Sequence, residues 1–237
     1  SNQKTSVYYI VSPSKNYTIN EINIITNNPQ IKALIAASAN ESYIKIGEPA
    51  TRTNVGRERD RISQLLIANG YYHMRTEAIL PNVDTSRTID KNALADEFGG
   101  VFLSLDTAIN KPHTTAKLTF TIKDSVGINE LKPYYFNKII VYIGDNMANL
   151  KNPGSYKEHK YKDLIIRSWD KTVVHDEVLA RNIFIKPGDL FALKDAEATL
   201  NRLNSLKAFS NVKLQTVPIK DSGSSELDCV IELSIGK

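Results

Sequence analysis

The chain has 237 residues, which is room for one large domain or two of ordinary size. With 41% hydrophobic and 24% charged residues, it has the composition of a folded protein and not of a disordered one. The net charge of +4 is mild, and although a dedicated nucleic-acid-binding protein usually has a denser basic stripe, the charge alone decides nothing. No apolar run approaches the roughly 20 residues of a membrane-spanning helix. The single cysteine, Cys229, excludes an intramolecular disulfide, which fits the cytosol and the periplasm equally.

The first half of the chain predicts a strand, two helices and then further strands. Residues 17–24 alternate in polarity and predict a strand, and apolar residues between 29 and 35 share one face of a helix. A break at 46–49 precedes a second helix, which ends at Gly70 in a left-handed C′ conformation. Alternation over 117–122 predicts a half-buried strand. The charged residues of the second helix are predicted to face solvent: Arg57, Glu58, Asp60 and Arg61.

The second half of the chain repeats this order. Residues 139–143 alternate as a strand, and a short helix capped by Asp176 follows. The break at 185–189 takes the place of the one at 46–49 and precedes a helix with apolar residues at three- and four-residue spacing. Two alternating strands complete the unit, at 209–215 and 227–235. Both halves therefore predict an α+β fold of β-α-α-β-β modules, each with a three-stranded sheet covered by two helices.

Two stretches do not fit the repeat. Residues 81–99 are interpreted as an insertion in a long loop or in an interrupted second strand. Residues 145–175 are long and polar, and because a structureless loop of that size is unusual, the segment 164–169 is expected to pack. With these insertions, the predicted modules span residues 1–127 and 128–237.

Several segments carry a family resemblance in addition to this pattern. Residues 185–191 are similar to the "kPGdlY" entry to the second helix of a POTRA (polypeptide-transport-associated) module, and 200–212 resemble its "L..L..F..V" passage from helix to strand. Residues 227–233 resemble the "LDc.I.L" strand that precedes the membrane barrel in many relatives. In the first half, residues 56–72 are similar to the "ER.RI...L...GYY" form of Bacteroidetes translocation and assembly subunits. Residues 105–107 resemble the short "Dt" signature of the same proteins.

The motif residues have simple structural interpretations. Glycines in the motifs are interpreted as positions of positive φ or close approach, and the aromatic residues as core. The residues concerned are Gly47, Gly70, Tyr71, Pro187, Gly188 and Phe209. Two positions depart from the family pattern: Ala192 stands at the N-cap where Ser or Asn is common, and the segment 207–209 lacks a glycine to stop its helix.

No motif for catalysis, metal binding or cofactor binding is present. The four histidines lack the spacing of metal ligands, and no nucleophile elbow, phosphate loop or dinucleotide fingerprint occurs. Cys229 alternates with apolar residues and is interpreted as an inert buried thiol. The acidic residues of the first half are interpreted as solvated loop charge: Asp84, Asp90, Asp96, Glu97 and Asp106. The expectation is a protein that is not an enzyme and needs no cofactor.

A three-stranded sheet leaves an edge strand with free N–H and C=O groups, which can accept an extended segment by strand addition. The resemblance implies that this edge is the second strand of each module. The candidate pairing residues are His73, Arg75 and Glu77 in the first module and Asn211, Lys213 and Gln215 in the second. Pro218 is expected to stop the pairing. The alternative is that these strands are solvent-facing edges protected by their charge.

The resemblance implies a periplasmic region tethered to the outer membrane, followed in the full-length protein by a membrane β-barrel. Its partners would be unfolded outer-membrane protein clients, or periplasmic or inner-membrane subunits. Two alternatives stay open at this point. One is a POTRA-like adaptor of a different secretion or cell-division complex. The other is a nucleic-acid-binding α/β module that uses Lys157, Lys160, Tyr161 and Lys162.

Overall fold

A computed structural model describes residues 17–85, 115–145, 156–169, 174–219 and 223–235. The first module contains three strands and two helices: β1 (Thr18–Ile25), α1 (Pro29–Ala37), α2 (Arg52–Ala68), β2 (Ile79–Asp84) and β3 (Thr115–Ile122). A small hairpin follows, formed by β4 (Ser125–Val126) and β5 (Asn129–Glu130). Short 3₁₀ turns occupy Ala39–Glu41 and Thr76–Ala78. The second module contains β6 (Tyr135–Gly144), β7 (Lys157–Tyr161), β8 (Leu164–Ser168), α3 (Asp176–Asn182), α4 (Leu193–Ser205), β9 (Phe209–Pro218) and β10 (Glu226–Ile235).

The first sheet has the strand order β1-β3-β2. Strand β1 runs parallel to β3, and β2 runs antiparallel to it. Alternate residues of β3 are buried at 0–3% exposure, from Ala116 to Ile122, because α1 and α2 cover that face of the sheet. The predicted β-α-α-β-β order and the α+β class are confirmed for this module.

The second sheet has five strands in the order β7-β8-β6-β10-β9. Its central trio repeats the first module, since β6 is parallel to β10 and β9 is antiparallel to β10. The predicted count of three strands is therefore right for the first sheet and wrong for the second. The extra pair comes from the polar insertion, where a tight turn with Lys162 at φ 51° joins β7 to β8, and Leu164 and Ile166 of β8 are buried. The segment expected to pack does so, as a strand.

Matching hydrogen bonds confirm the repeat at the break before the second helix of each module. The N–H of Gly47 donates to the carbonyl of Ile19 at 2.8 Å, and the N–H of Gly188 donates to the carbonyl of Phe136 at 2.7 Å. In return, the N–H groups of Ile19 and Phe136 each donate at 2.9 Å to the residue that follows the glycine. Both glycines have positive φ, 90° and 86°, and a Cβ would meet nothing within 4 Å. Their role is therefore conformational, as predicted.

The two second helices end in the same way with different residues. After α2, Gly70 has φ 93°, its N–H donates to Ile67, and the N–H of Tyr71 donates to Leu66 at 3.0 Å, which is a Schellman motif. After α4, Lys207 occupies the equivalent C′ position at φ 52°. The missing glycine stop is thus replaced by a lysine in the left-handed conformation, which is unfavourable for a residue with a Cβ.

Glu58 corrects the prediction that the charged residues of α2 face solvent. It is 4% exposed, and its carboxylate accepts bonds from the Arg61 guanidinium at 2.6 and 3.0 Å and from the N–H of Tyr43 at 2.9 Å. The same guanidinium donates to the Ser38 hydroxyl at 2.9 Å. Burial is tolerated because the charge is paired and its acceptor sites are filled. The pair fastens α2 to the connection between α1 and α2.

The cap predicted for α3 is also corrected. His175 is the N-cap and makes no side-chain cap bond, while Asp176 is the first helical residue. Its carboxylate lies 2.8 Å from Nε2 of His159, which ties α3 to β7. Ala192 is the N-cap of α4 and, as expected for alanine, offers no cap bond.

Lys207 gives a test of the repeat in terms of stability. We expect Lys207→Gly to raise the free energy of unfolding by about 1 kcal/mol relative to Lys207→Ala, because only glycine adopts the left-handed conformation without cost. Urea unfolding at equal m-values measures the difference, and the alanine variant controls for the lost charge. Equal midpoints for the two variants would contradict the left-handed assignment.

Candidate functional site

The two larger sheets have four edge strands among the described residues. The start of β1 is covered by the segment 47–50, where the N–H of Ala50 donates to the carbonyl of Tyr17 at 2.7 Å. Strand β7 has five residues, four of them ionisable and exposed, a composition that protects an edge against pairing. Strand β2 contains Pro81, which lacks an N–H. Strand β9 has ten residues and is the longest of the four.

The hydrogen-bond pattern of β9 identifies which main-chain groups face outward. The N–H of Ile219 donates to the carbonyl of Glu226 at 3.1 Å, so these two residues form a hydrogen-bonded pair of the antiparallel ladder. Because such pairs recur at every second residue, odd-numbered residues of β9 bond inward to β10. The outward groups therefore belong to the even-numbered residues, in particular Val212, Leu214 and Thr216.

This alternation corrects the predicted pairing residues of the second module by one position. Asn211, Lys213 and Gln215 lie in β9 with exposed side chains, but their N–H and C=O groups face β10. They are not the residues that could pair with an added strand. Pro218 is even-numbered and faces outward, so its missing N–H costs the ladder nothing.

The candidates of the first module do not lie in a strand. Strand β2 begins at Ile79, and His73, Arg75 and Glu77 precede it in a turn and a 3₁₀ segment. The prediction that these three residues form a pairing edge is wrong, because the N–H of Ala78 closes the turn onto the carbonyl of Arg75 at 3.0 Å. Just before β2, the N–H of Lys123 donates to the carbonyl of Ala78. The main-chain groups of even-numbered β2 residues therefore face β3, and those of Pro81 face outward.

An apolar groove runs beside the outward edge of β9. It lies between β9 and α4 and has a volume of about 280 Å³. Its walls are mostly apolar: Ile67, Phe191, Leu193, Ala196, Leu214 and Thr216, with Tyr72 and Arg75 at one side. Leu193 is 44% exposed, a large value for an apolar residue at a helix start. Main-chain groups on β9 and a neighbouring apolar groove are the two elements that strand addition needs.

The first module provides part of this groove through the Gly-Tyr-Tyr segment at the end of α2. A Cβ on Gly70 would lie 2.5 Å from Leu190 Cδ1. The carbonyl of Gly70 accepts a hydrogen bond from the N–H of Tyr134 at 2.9 Å. Tyr71 is 1% exposed and lies in the core of the first module. Tyr72 packs against the core of the second, and its hydroxyl donates to the carbonyl of Thr216 at 3.2 Å. The segment therefore joins the modules.

Tyr72 is held in place by other rings. Its ring lies edge-on to Phe191, with centroids 5.1 Å apart, and tilted against Tyr134 at 5.8 Å. His73 also contacts Tyr134 edge-on at 5.0 Å. Burial, together with the positive charges of Arg75 and Lys132, lowers the pKa of His73 below its ordinary value. Tyr71 is a core aromatic, as predicted, whereas Tyr72 is partly buried and packs against the core of the other module.

The remaining predicted chemistry is partly outside the described residues. The segment 105–107 and the acidic residues Asp90, Asp96, Glu97 and Asp106 lie there. Within the described residues, no group of three His, Cys, Asp or Glu side chains could hold a metal ion. In the same part of the chain, no helix is both long enough and apolar enough to cross a bilayer.

The basic residues proposed for nucleic-acid binding do not share a surface. Lys157 and Tyr161 point to the helix-covered side of β7, like His159, which reaches α3. Lys160, the cross-strand partner of Ile165, points to the other face of the sheet. Lys162 sits in the turn with its ammonium over the Tyr161 ring, 5.5 Å from the centroid. The strand geometry thus splits the cluster that the sequence suggested.

No protein-family model matches this chain, and no curated protein matches it. Solved structures similar to it include the following three. BamA from Haemophilus ducreyi lacking POTRA domains 1–3 has 14% identity and a TM-score of 0.49, over 93% of this chain and 30% of that chain. POTRA1-2 of the periplasmic domain of Omp85 from Anabaena has 9% identity and a TM-score of 0.44, over 94% and 98%. CdiB from Acinetobacter baumannii has 14% identity and a TM-score of 0.33, over 96% and 31%.

The chain thus spans less than a third of the BamA and CdiB chains and nearly all of the Anabaena fragment. All three TM-scores lie below 0.5.

The register of β9 can be tested with proline and alanine at adjacent positions. Gln215→Pro removes an inward N–H and leaves the carbonyl of Val230 without its donor, whereas Leu214→Pro removes an outward one. We expect the loss of stability from alanine to proline to be about 1–3 kcal/mol larger at position 215 than at 214. Chemical denaturation of the four variants measures it. An equal or larger loss at 214 would reverse the register.

Cys229 gives a second test, of the buried face of the same sheet. It is fully buried, and burial raises the pKa of its thiol to about 12. At pH 8 only about one thiol in ten thousand is then ionised, so a disulfide reagent should react only after unfolding. Absorbance of the released thiolate with and without urea measures this, with Cys229→Ser as the blank. Prompt reaction of the native protein would show that this strand is not packed as described.

Proposed function

We propose that this chain is the periplasmic protein-binding region of an outer-membrane protein assembly or translocation factor, and that it engages extended polypeptide segments by strand addition. The observation that carries this proposal is the outward edge of β9. Val212 and Leu214 each direct an N–H and a C=O away from the sheet, and no described residue bonds to them there. These are unused pairing positions on the edge strand of a five-stranded sheet.

The chemistry of this edge suits a binder of many sequences. Main-chain hydrogen bonds supply affinity with little demand on side chains, and alternate side chains of the added strand would enter the groove between β9 and α4. Leu193, Ala196 and Leu214 make that groove apolar. Segments that alternate apolar and polar residues, as strands of membrane barrels do, fit both features.

The position within a longer protein is supported by the internal repeat. Two modules of the same topology, with the same glycine hydrogen bonds at the entry to the second helix, are what the POTRA resemblance in the sequence implies. That resemblance places such modules in the periplasm, ahead of a membrane barrel. The partners are then unfolded barrel precursors or subunits of the assembly machinery. The role is binding, without catalysis or a cofactor.

A second candidate function uses the same edge in another setting. An adaptor of a different secretion or cell-division complex would bind one partner strand and not many clients. The features of β9 are common to both roles. Nucleic-acid binding is not favoured, because the basic side chains of β7 lie on opposite faces.

The proposal is tested with a soluble, end-capped peptide that alternates valine and threonine. We expect it to bind the wild-type chain and to bind Leu214→Pro at least about fivefold more weakly than Leu214→Ala, because one outward N–H is lost beyond the shared loss of the side chain. Fluorescence anisotropy of a labelled peptide measures the affinities.

The matched control is the same peptide with alternate residues N-methylated, which removes its donors on one edge. It should bind at least about fivefold more weakly than the parent peptide. Equal binding of the two peptides, or of the two Leu214 variants, would show that the contact is made by side chains and would contradict strand addition.

A further inference from the structure

We propose that Tyr72 of the first module ends the strand-binding surface of the second, so that a segment can pair with the carbonyl of Thr216 and beyond only by opening the contact between the modules. The inference rests on the proposed strand addition to β9 and specifies its length and register. It assigns a role in binding to a residue outside the module that carries the edge.

The first step is the position of the Tyr72 hydroxyl. It donates to the carbonyl oxygen of Thr216 at 3.2 Å, and the Thr216 hydroxyl lies 3.3 Å from it. Thr216 is an even-numbered residue of β9, so this carbonyl is on the outward edge. The phenol therefore occupies the place where the next N–H of an added strand would donate.

The second step is the inventory of groups that remain. Val212 and Leu214 offer an N–H and a C=O each, and Thr216 offers an N–H alone. Pro218, the next outward residue, has no N–H to offer. In the structure as it stands, an added strand can use two complete residues and half of a third.

The third step is that Tyr72 does not move alone. Its ring is packed against Phe191 and Tyr134 of the second module, and the Arg75 guanidinium donates to its backbone carbonyl at 3.1 Å. The adjoining backbone is bonded across the junction, from the N–H of Tyr134 to the carbonyl of Gly70. A longer strand must displace this packing, so extended pairing and the module junction oppose each other, and by linkage each weakens the other.

Tyr72→Phe separates the hydroxyl from the ring. The variant keeps the aromatic contacts and frees the Thr216 carbonyl. Two end-capped valine–threonine peptides serve as probes: a short one that reaches Leu214 and a longer one that continues across Thr216. We expect the wild-type chain to bind both with similar affinity, and Tyr72→Phe to bind the longer peptide about fivefold to tenfold more tightly with the short one unchanged.

Thr216→Val is the matched control, because it removes the threonine hydroxyl and leaves the Tyr72 bond to the main chain in place. It should show the wild-type pattern.

The outcomes separate this inference from the proposal beneath it. If no peptide binds the wild-type chain or Tyr72→Phe, strand addition itself is wrong. If both peptides bind but Tyr72→Phe shows no gain for the longer one, strand addition stands and the role of Tyr72 is overturned.

Discussion

The antiparallel ladder between β9 and β10 decides what the second module can bind. In such a ladder both main-chain groups of a residue point to the same side, and the side alternates along the strand. The bond from Ile219 to Glu226 sets that alternation for the whole strand. Val212 and Leu214 face out as a result, beside a groove that α4 completes. A shift of one residue would leave the same sequence with different groups exposed.

An open edge is a hazard as well as a site, because it pairs with any exposed strand. Several features of the described residues limit that hazard. Pro81 and Pro218 both lie at outward positions, where a proline removes a donor without costing a ladder bond. Strand β7, added to the sheet by the insertion, gives the opposite side a short charged edge. The unblocked stretch is thereby restricted to the side where the groove lies.

The sequence predicted the elements well and the pairing residues poorly, for a physical reason. Polarity alternation identified β9 and placed Val212 inward, but exposed Lys213 was assumed to carry the free main-chain groups. Along a strand, the side chain changes face at each residue and the main-chain N–H and C=O change side at each residue, so the two alternations stay in step. In both β2 and β9, the residues whose side chains face the helices are those whose N–H and C=O point outward. The predicted strand order, together with which alternate residues are apolar, could have identified these outward main-chain groups. Glu58 lies three residues after Val55 and four before Ile62, so helical periodicity could have placed it on the buried face of α2. Its bond from the N–H of Tyr43 could not be read from the sequence, because a backbone donor leaves no sequence pattern.

The Gly-Tyr-Tyr segment shows why the two modules act as one unit. The left-handed turn at Gly70 sends Tyr71 into the first core and, one residue later, Tyr72 onto the second. The φ of 93° at position 70 favours glycine, and a Cβ there would also force the Leu190 side chain to shift. The helix end that completes the first fold therefore also forms one side of the binding groove of the next. An isolated second module would keep β9 but lose the Tyr72 hydroxyl, and with it the limit on pairing that the neighbouring module imposes.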